Sequence, residues 1–224
     1  MKRKTGFFLW LFFFILLTTY SLTSFQLFNS SLFPVKTIKI QGTVNSNQDE
    51  IKKIFNEFIG KSIILISTNE FRKNIESIKF VKAIKLKKIY PDTISLTIIE
   101  YKPAGILINE NEKFIISESG YIIKNFPITK FPNLPKISGK PTEKNFKFFF
   151  KNLKQMKFPV NLIQKLNYFD IGRWDIVLKN DKLIKLPKEN YVMSIKKFLS
   201  IYEKDNFVNF SVFDFRVKGQ LVLK

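Results

Sequence analysis

An α+β fold in two domains, set behind one membrane-crossing helix, is what this sequence predicts, and three stretches predict it. An uncharged apolar run occupies the N-terminal end from Phe7 to Phe28. Two β-rich runs flank Tyr90-Pro91-Asp92-Thr93 after two helical stripes, which makes a small sheet with a helical cover. Beyond Pro103, short β-like runs recur around two further amphipathic helices, the pattern of a mostly antiparallel sheet with helices packed on it.

Lys2, Arg3 and Lys4 precede GFFLWLFFFILL, and no charged residue follows until Lys36. Phe7 to Phe28 is 22 residues; at 1.5 Å each that is about 33 Å of helix, enough for a hydrocarbon layer of about 30 Å. The basic tail, residues 1–6, sets the topology and stays cytoplasmic, which places the rest outside the inner membrane. Phe7, Trp10 and Phe28 mark the anchor. A cleaved secretory leader is the rival, because threonines and serines follow the apolar core; yet no alanine precedes Ala83, so an Ala-x-Ala site is missing. Residues 29–34 read as a linker.

The first domain spans residues 35–103. Ile38 and Ile40 alternate along a strand that Gly42 ends. Ser46 or Asn47 caps a helix with Ile51, Ile54, Phe55 and Phe58 on one face, and Gly60 stops it. Ser67 and Glu70 have capping-box spacing ahead of Phe71, Ile75 and Ile78. In the closing pair of strands Ile94, Leu96 and Ile98 alternate with Thr93, Ser95 and Thr97, whereas Val81, Ile84, Leu86 and Ile89 cannot share a face without a bulge near Ala83 or a partly exposed, lysine-lined strand. The order is strand, helix, helix, strand, strand.

The second domain, residues 104–224, opens with β-like runs at 105–108, 113–116 and 121–123, the last two separated by the turn SESG. Pro127, Pro132 and Pro135 force an irregular crossing. Thr142 caps a helix with Phe146, Phe149, Phe150, Leu153 and Met156 on one side. Strands are expected near 162–169, 174–178 and 183–186, then a helix carrying Val192, Ile195, Leu199 and Tyr202, and finally the ending SVFDFRVKGQLVLK. The plain role of every apolar residue named so far is core packing.

Cysteine and histidine are both absent, which removes disulfides, the usual zinc ligands and the usual triad base. The net charge of +20 is almost all lysine: four of the 38 basic residues are arginine. That is a compositional bias rather than the arginine-fork pattern of a phosphate reader, so nucleic acid is not an expected partner. Ser194-Ile195-Lys196-Lys197 fits S-x-x-K and Lys4-Thr5-Gly6 spells K-T-G, but they lie in the wrong order and on opposite sides of the membrane. No glycine-rich phosphate loop or paired-carboxylate spacing is present. The expectation is a protein that is not an enzyme, with no cofactor, no metal and no small-molecule substrate.

The strand-helix-helix-strand-strand order, VKTIKIQG, and FVKAIKLKKIYPDTISLTIIEYKPAG with its Pro-Asp turn and Glu100-x-x-Pro103 exit together resemble a POTRA domain. With the basic tail, the apolar helix, FPNLPKISG, the Arg173-Trp174 strand and the ending Val212-x-Asp214-Phe215-Arg216 before Gly219, nearly the whole chain resembles the FtsQ/DivIB family of bacterial cell-division proteins. The resemblance implies a divisome scaffold that sits at the division septum, helps control septal peptidoglycan synthesis and works by lending the edge of its last sheet to FtsB, which is paired with FtsL. It also implies that the POTRA domain and membrane helix meet other divisome proteins.

Carried onto this chain, the resemblance makes Arg216 the first partner-facing cation and Arg173, ahead of Trp174, the second; an internal pair between Arg216 and Asp214 is the alternative. The family commonly has an aromatic residue where Val217 stands, which leaves open whether Phe213 or Phe215 supplies the apolar anchor. Gly219 completes the matching segment. Two rivals are kept. A POTRA chaperone of outer-membrane or secretion assembly demands several repeats or a barrel, neither visible in the sequence; a membrane-anchored cell-wall enzyme demands muropeptide release.

Overall fold

The computed structural model describes residues 2–18, 33–75, 78–109 and 112–224; the side chains of residues 2–5, 18, 72 and 75 lie outside that description. Phe28 and most of the expected linker therefore fall outside it, as do the side chains of Lys2, Arg3, Lys4 and Ile75. The chain divides into two compact units, Met1–Glu100 and Tyr101–Lys224.

Helix α1 covers Lys2–Thr18, and every described side chain from Phe7 to Leu17 is exposed. Its 17 residues make about 26 Å, short of a hydrocarbon layer of about 30 Å. The expected span from Phe7 to Phe28 lies within the described residues only as far as Thr18, and among the described residues no helix is long and apolar enough to cross a membrane.

The rest of the first unit is a three-stranded sheet of order β1-β3-β2, where β1 is Thr37–Gln41, β2 Val81–Ile89 and β3 Thr93–Glu100. The outer strand β1 runs parallel to central β3, and β2 antiparallel to it. Two-residue periodicity puts Ile94, Leu96 and Ile98 of β3 wholly into the core, under α2 (Gln48–Phe55) and α3 (Thr68–Ile75). The rings of Phe55, Phe58 and Phe71 stack there, the last two with centroids 4.1 Å apart. The register of β2 shifts between Val81 and Ala83, the bulge expected where alternation failed, and it lets Ile84 and Leu86 rejoin the core face.

Asn47, not Ser46, caps α2: its side chain accepts from the N–H groups of Asp49 and Glu50. Ser46 is committed elsewhere. Glu100, at the end of β3, reaches back to the loop after β1 and accepts from the backbone N–H of Val44 (2.9 Å), Asn45 (2.9 Å) and Ser46 (2.8 Å), the Asn45 amide and the Ser46 hydroxyl. Gly42 starts that loop at φ +84°, and a Cβ there would lie 2.5 Å from the Ile98 carbonyl oxygen.

Burial pushes the Glu100 carboxyl up, but the Ser46 hydroxyl and the three backbone donors hold it, on balance, below the usual range. A depressed folded value means stability that is present above the unfolded value and lost as pH falls through the folded one. Glu100→Ala strips the acceptor from five donors, some of them part-exposed, and is expected to cost about 2 kcal/mol at neutral pH. Denaturant unfolding checks it: the gap from wild type should close in acid, and a gap unchanged by pH would contradict the role given to the charge.

The second unit is a nine-stranded sheet of order β12-β11-β10-β9-β8-β7-β4-β5-β6. Its strands are β4 Pro103–Asn109, β5 Glu112–Ser117, β6 Ile122–Ile123, β7 Lys136–Ser138, β8 Ile163–Phe169, β9 Arg173–Leu178, β10 Leu183–Lys185, β11 Val212–Asp214 and β12 Val222–Leu223. Pairing is antiparallel except at β4-β7, β7-β8 and β10-β11. Helices α4 (Glu143–Gln155) and α5 (Tyr191–Ile201) supply the apolar cover. Thr142 caps α4 as expected, accepting from the Asn145 N–H. The α4 stripe lays Phe149 flat on Trp174, with centroids 4.5 Å apart, and Phe198 of α5 meets Phe213 edge-on at 5.0 Å.

Candidate functional site

The C-terminal margin of the large sheet is built from the inside outward. Parallel pairing to β10 fixes β11, and antiparallel pairing hangs β12 on β11 with Phe213 opposite Leu223 and Asp214 opposite Val222. Val212 and Lys224 exchange both backbone bonds, N–H to carbonyl at 2.9 and 3.1 Å. In an antiparallel ladder the bonded and non-bonded pairs alternate, so Phe213 and Leu223 form a non-bonded pair. The N–H and C=O of Leu223 therefore point away from β11, on the last strand of the sheet.

The loop that delivers β11 is held by Lys182, whose ammonium donates to the carbonyls of Val208 (2.7 Å) and Phe210 (2.8 Å), with Phe207 at 3.5 Å. Its Nζ lies 5.5 Å from the Phe213 ring centroid. Lys182→Met keeps much of the stem but removes the donor; the expected loss is about 1.5–3 kcal/mol, the scale of charge-assisted bonds. Unfolding midpoints of the two proteins check it, and equal midpoints would refute a structural role for the ammonium.

Arg216 and Asp214 form the internal pair weighed as the alternative. The guanidinium Nε donates to Asp214 Oδ1 at 2.9 Å, Nη2 to Oδ2 at 2.6 Å, and the Arg216 backbone N–H to Oδ1 at 3.0 Å. These bonds hold the Asp214 carboxyl below its ordinary range. The Arg216 side chain is nonetheless 46% exposed. Val217 is exposed too, and Gly219 turns the chain at φ +77° with open space around it.

Arg173 is placed differently. Its side chain is only 13% exposed, stacks on the Phe169 ring at 4.1 Å and lies 3.6 Å from the buried carboxylate of Asp175. Among the described residues, Arg173 Nε and Nη1 and Asp175 Oδ1 have no hydrogen-bond partner. Burial drives the Asp175 carboxyl above its usual range, against Arg173, the Leu186 backbone, Lys185 and Arg216, which all pull it down. Trp174, Phe213 and Phe215 are buried in the core. Alternation turns their side chains toward the helical cover.

Sequence reasoning passed over Asp175 and Lys185. Register puts Asn167 beside Asp175, Asp175 beside Lys185 and Lys185 beside Asp214, so a polar row with acid, base and acid on β9, β10 and β11 runs toward β12. The signal was available in RWDIVL, where Arg173 and Asp175 alternate with Trp174 and Ile176. Between α5 and the turn into β12 lies a cleft of about 510 Å³ lined by Ser194, Lys197, Arg216, Val217 and Gly219 among others. Ser194 and Lys197 share its wall, but among the described residues no hydrogen bond joins them. No group of residues there could hold a metal ion, again among the described residues.

Comparison with known proteins fits this architecture. Residues 33–101 match the family model for the FtsQ-type POTRA domain, and residues 105–216 match that for the C-terminal part of the cell division protein FtsQ/DivIB. Cell division protein FtsQ of Rickettsia bellii is 27% identical over 196 residues, covering 86% of this chain and 72% of the relative. FtsQ of Agrobacterium fabrum is 24% identical over 164 residues, covering 73% and 52%. The extracytoplasmic domain of DivIB from Geobacillus stearothermophilus matches at 12% identity and a TM-score of 0.36, over 46% of this chain and 92% of that one, too slight a likeness to carry weight. With both halves matched, this chain belongs to the FtsQ/DivIB family of cell division proteins.

Proposed function

We propose that this protein is a single-pass inner-membrane scaffold of the division septum, with its N-terminus cytoplasmic and its bulk periplasmic, and that β12 receives a strand from FtsB, itself paired with FtsL. The observation that carries the proposal is the outward direction of the Leu223 peptide groups on the terminal strand. An incoming strand satisfies them and extends the sheet. It also runs past Arg216, whose Nη1 is not used by Asp214 and can meet a partner carboxylate.

Arg173 lies further along the same face of the sheet, with its Nε and Nη1 buried beside Asp175. Val217 and Gly219 shape the adjoining turn, while Trp174, Phe213 and Phe215 hold the strands in place from the core. In this reading residues 7–28 are the anchor, with Phe7 and Trp10 in contact with lipid, Lys2, Arg3 and Lys4 retained inside, and residues 35–103 free to meet other divisome proteins. The all-round apolar surface of α1 supports it. The protein acts by assembly, without chemistry of its own.

Arg216→Glu reverses the exposed cation. Binding of a peptide from the C-terminal region of FtsB, measured by titration calorimetry, is expected to weaken about tenfold or more, the equivalent of about 1.4 kcal/mol. Unchanged affinity would refute the edge assignment.

A further inference from the structure

The first unit carries an exposed apolar rim at the end where the chain enters it. Phe33 and Tyr90 meet edge-on, with ring centroids 6.5 Å apart, and both are exposed. The Phe33 carbonyl accepts from the Ile63 N–H, and Val35 bonds to Lys61 and Gly60, so the entering strand is stitched to the loop that presents Ile64 and Leu65. Those two side chains are 49% and 57% exposed, although their neighbours Ile63 and Ile66 are buried. Lys88 donates to the Ile64 carbonyl at 3.1 Å, which ties the end of β2 to the same loop. Four apolar side chains from three separate segments are thus held at one place by backbone bonds, the Lys88 ammonium and the Phe33–Tyr90 ring contact.

Lysines border this rim. Lys36 and Lys61 are exposed and Lys88 half-buried. Asp92 lies 3.7 Å from Lys36. The mixture of aromatic, aliphatic and lysine side chains is the composition of a membrane–water interface: rings and aliphatic groups enter the headgroup boundary, and ammonium groups stay at the phosphates.

We infer that this rim is a lipid footing, with which the first unit rests on the anionic phospholipid surface of the membrane entered by the N-terminal apolar segment. The inference rests on the reading of that segment as an anchor. Its commitment to lipid comes from chain connectivity: Phe33 lies 15 residues beyond the end of α1, so the bilayer is the surface held within reach of the rim. The lysines match the negative charge of that surface. The footing orients the unit rather than tethering it.

The chain has no cysteine, so Leu65→Cys gives a unique attachment point on the rim, and Val44→Cys gives a control in the loop beyond the far end of β1. Full-length protein carrying an environment-sensitive fluorophore at one site or the other is reconstituted into vesicles of equal parts phosphatidylcholine and phosphatidylglycerol with nitroxide-labelled headgroups. The expected result is several-fold stronger quenching at position 65 than at 44, lost when Lys36, Lys61 and Lys88 are all changed to Glu. Equal quenching at the two positions in protein that floats with the vesicles overturns the footing and leaves the anchor standing. Quenching at 65 that survives the triple reversal also overturns it, because the charge match fails. A rise in emission at 65 that follows protein concentration rather than lipid assigns the rim to a second copy of the chain. Failure to float removes the anchor, and the footing with it.

Discussion

Leu223→Pro in the full chain is expected to abolish measurable strand addition at the sheet margin while leaving the sheet itself intact. The Leu223 N–H points outward and bonds to nothing in β11, so losing it breaks no internal bond. A partner strand loses that donor and also meets the pyrrolidine ring, a combined penalty of about 3 kcal/mol, or roughly a hundredfold in affinity. Val222→Pro is the informative contrast. Its N–H faces Asp214 within the bonded pair, so that variant should detach β12 and lower stability as well as binding. Unfolding curves alongside peptide titration separate the two; equal binding by Leu223→Pro and wild type would mean that the partner does not use this edge.

Arg173→Ala carries the second large effect, this time on stability. Removing the guanidinium leaves the Asp175 carboxylate buried without its nearest cation, a change that costs about 3–5 kcal/mol in comparable buried pairs. The lower end is expected, because Arg173 and Asp175 already leave donors and an acceptor unmet. The pH dependence has a definite sign. Burial has already raised the Asp175 carboxyl, and Arg173 is the largest influence pulling it back, so the variant raises it further. A group with a raised folded value binds protons more readily in the folded state, so stability falls as pH rises through the region between the unfolded and folded values. The deficit should therefore shrink as pH is lowered, and Asp175→Asn added to Arg173→Ala should remove the pH dependence. A deficit that ignores pH would place the cost in lost packing on Phe169 instead.

The two arginines show why the fold was more legible in the sequence than the site. Period-two and helical stripes report which side chains are buried, and they located β3, α2 and α4 closely, down to the bulge at Ala83 and the Thr142 cap. The same alternation, applied to RWDIVL and VFDF, would have sent Trp174, Phe213 and Phe215 inward and left Arg173, Asp175 and Asp214 on the opposite face. Linear order cannot supply the rest. That Lys185 stands between Asp175 and Asp214 follows from the pairing of β9, β10 and β11, which joins Lys185 to a residue 10 positions before it and to one 29 positions after it. Phe198, wholly buried against Phe213, was hidden because the stripe through Ile195, Leu199 and Tyr202 already accounted for one face of α5. The Glu100 latch was invisible for a similar reason: its donors sit in a loop more than fifty residues earlier.

Amide hydrogen exchange at Leu223, with and without a saturating peptide from the C-terminal region of FtsB, tests the central claim most directly. Strand addition predicts that this outward amide, not bonded to β11, becomes strongly protected once the peptide binds, while the already paired Lys224 amide changes less. An amide at Leu223 that exchanges at the same rate in the bound and unbound protein would contradict it.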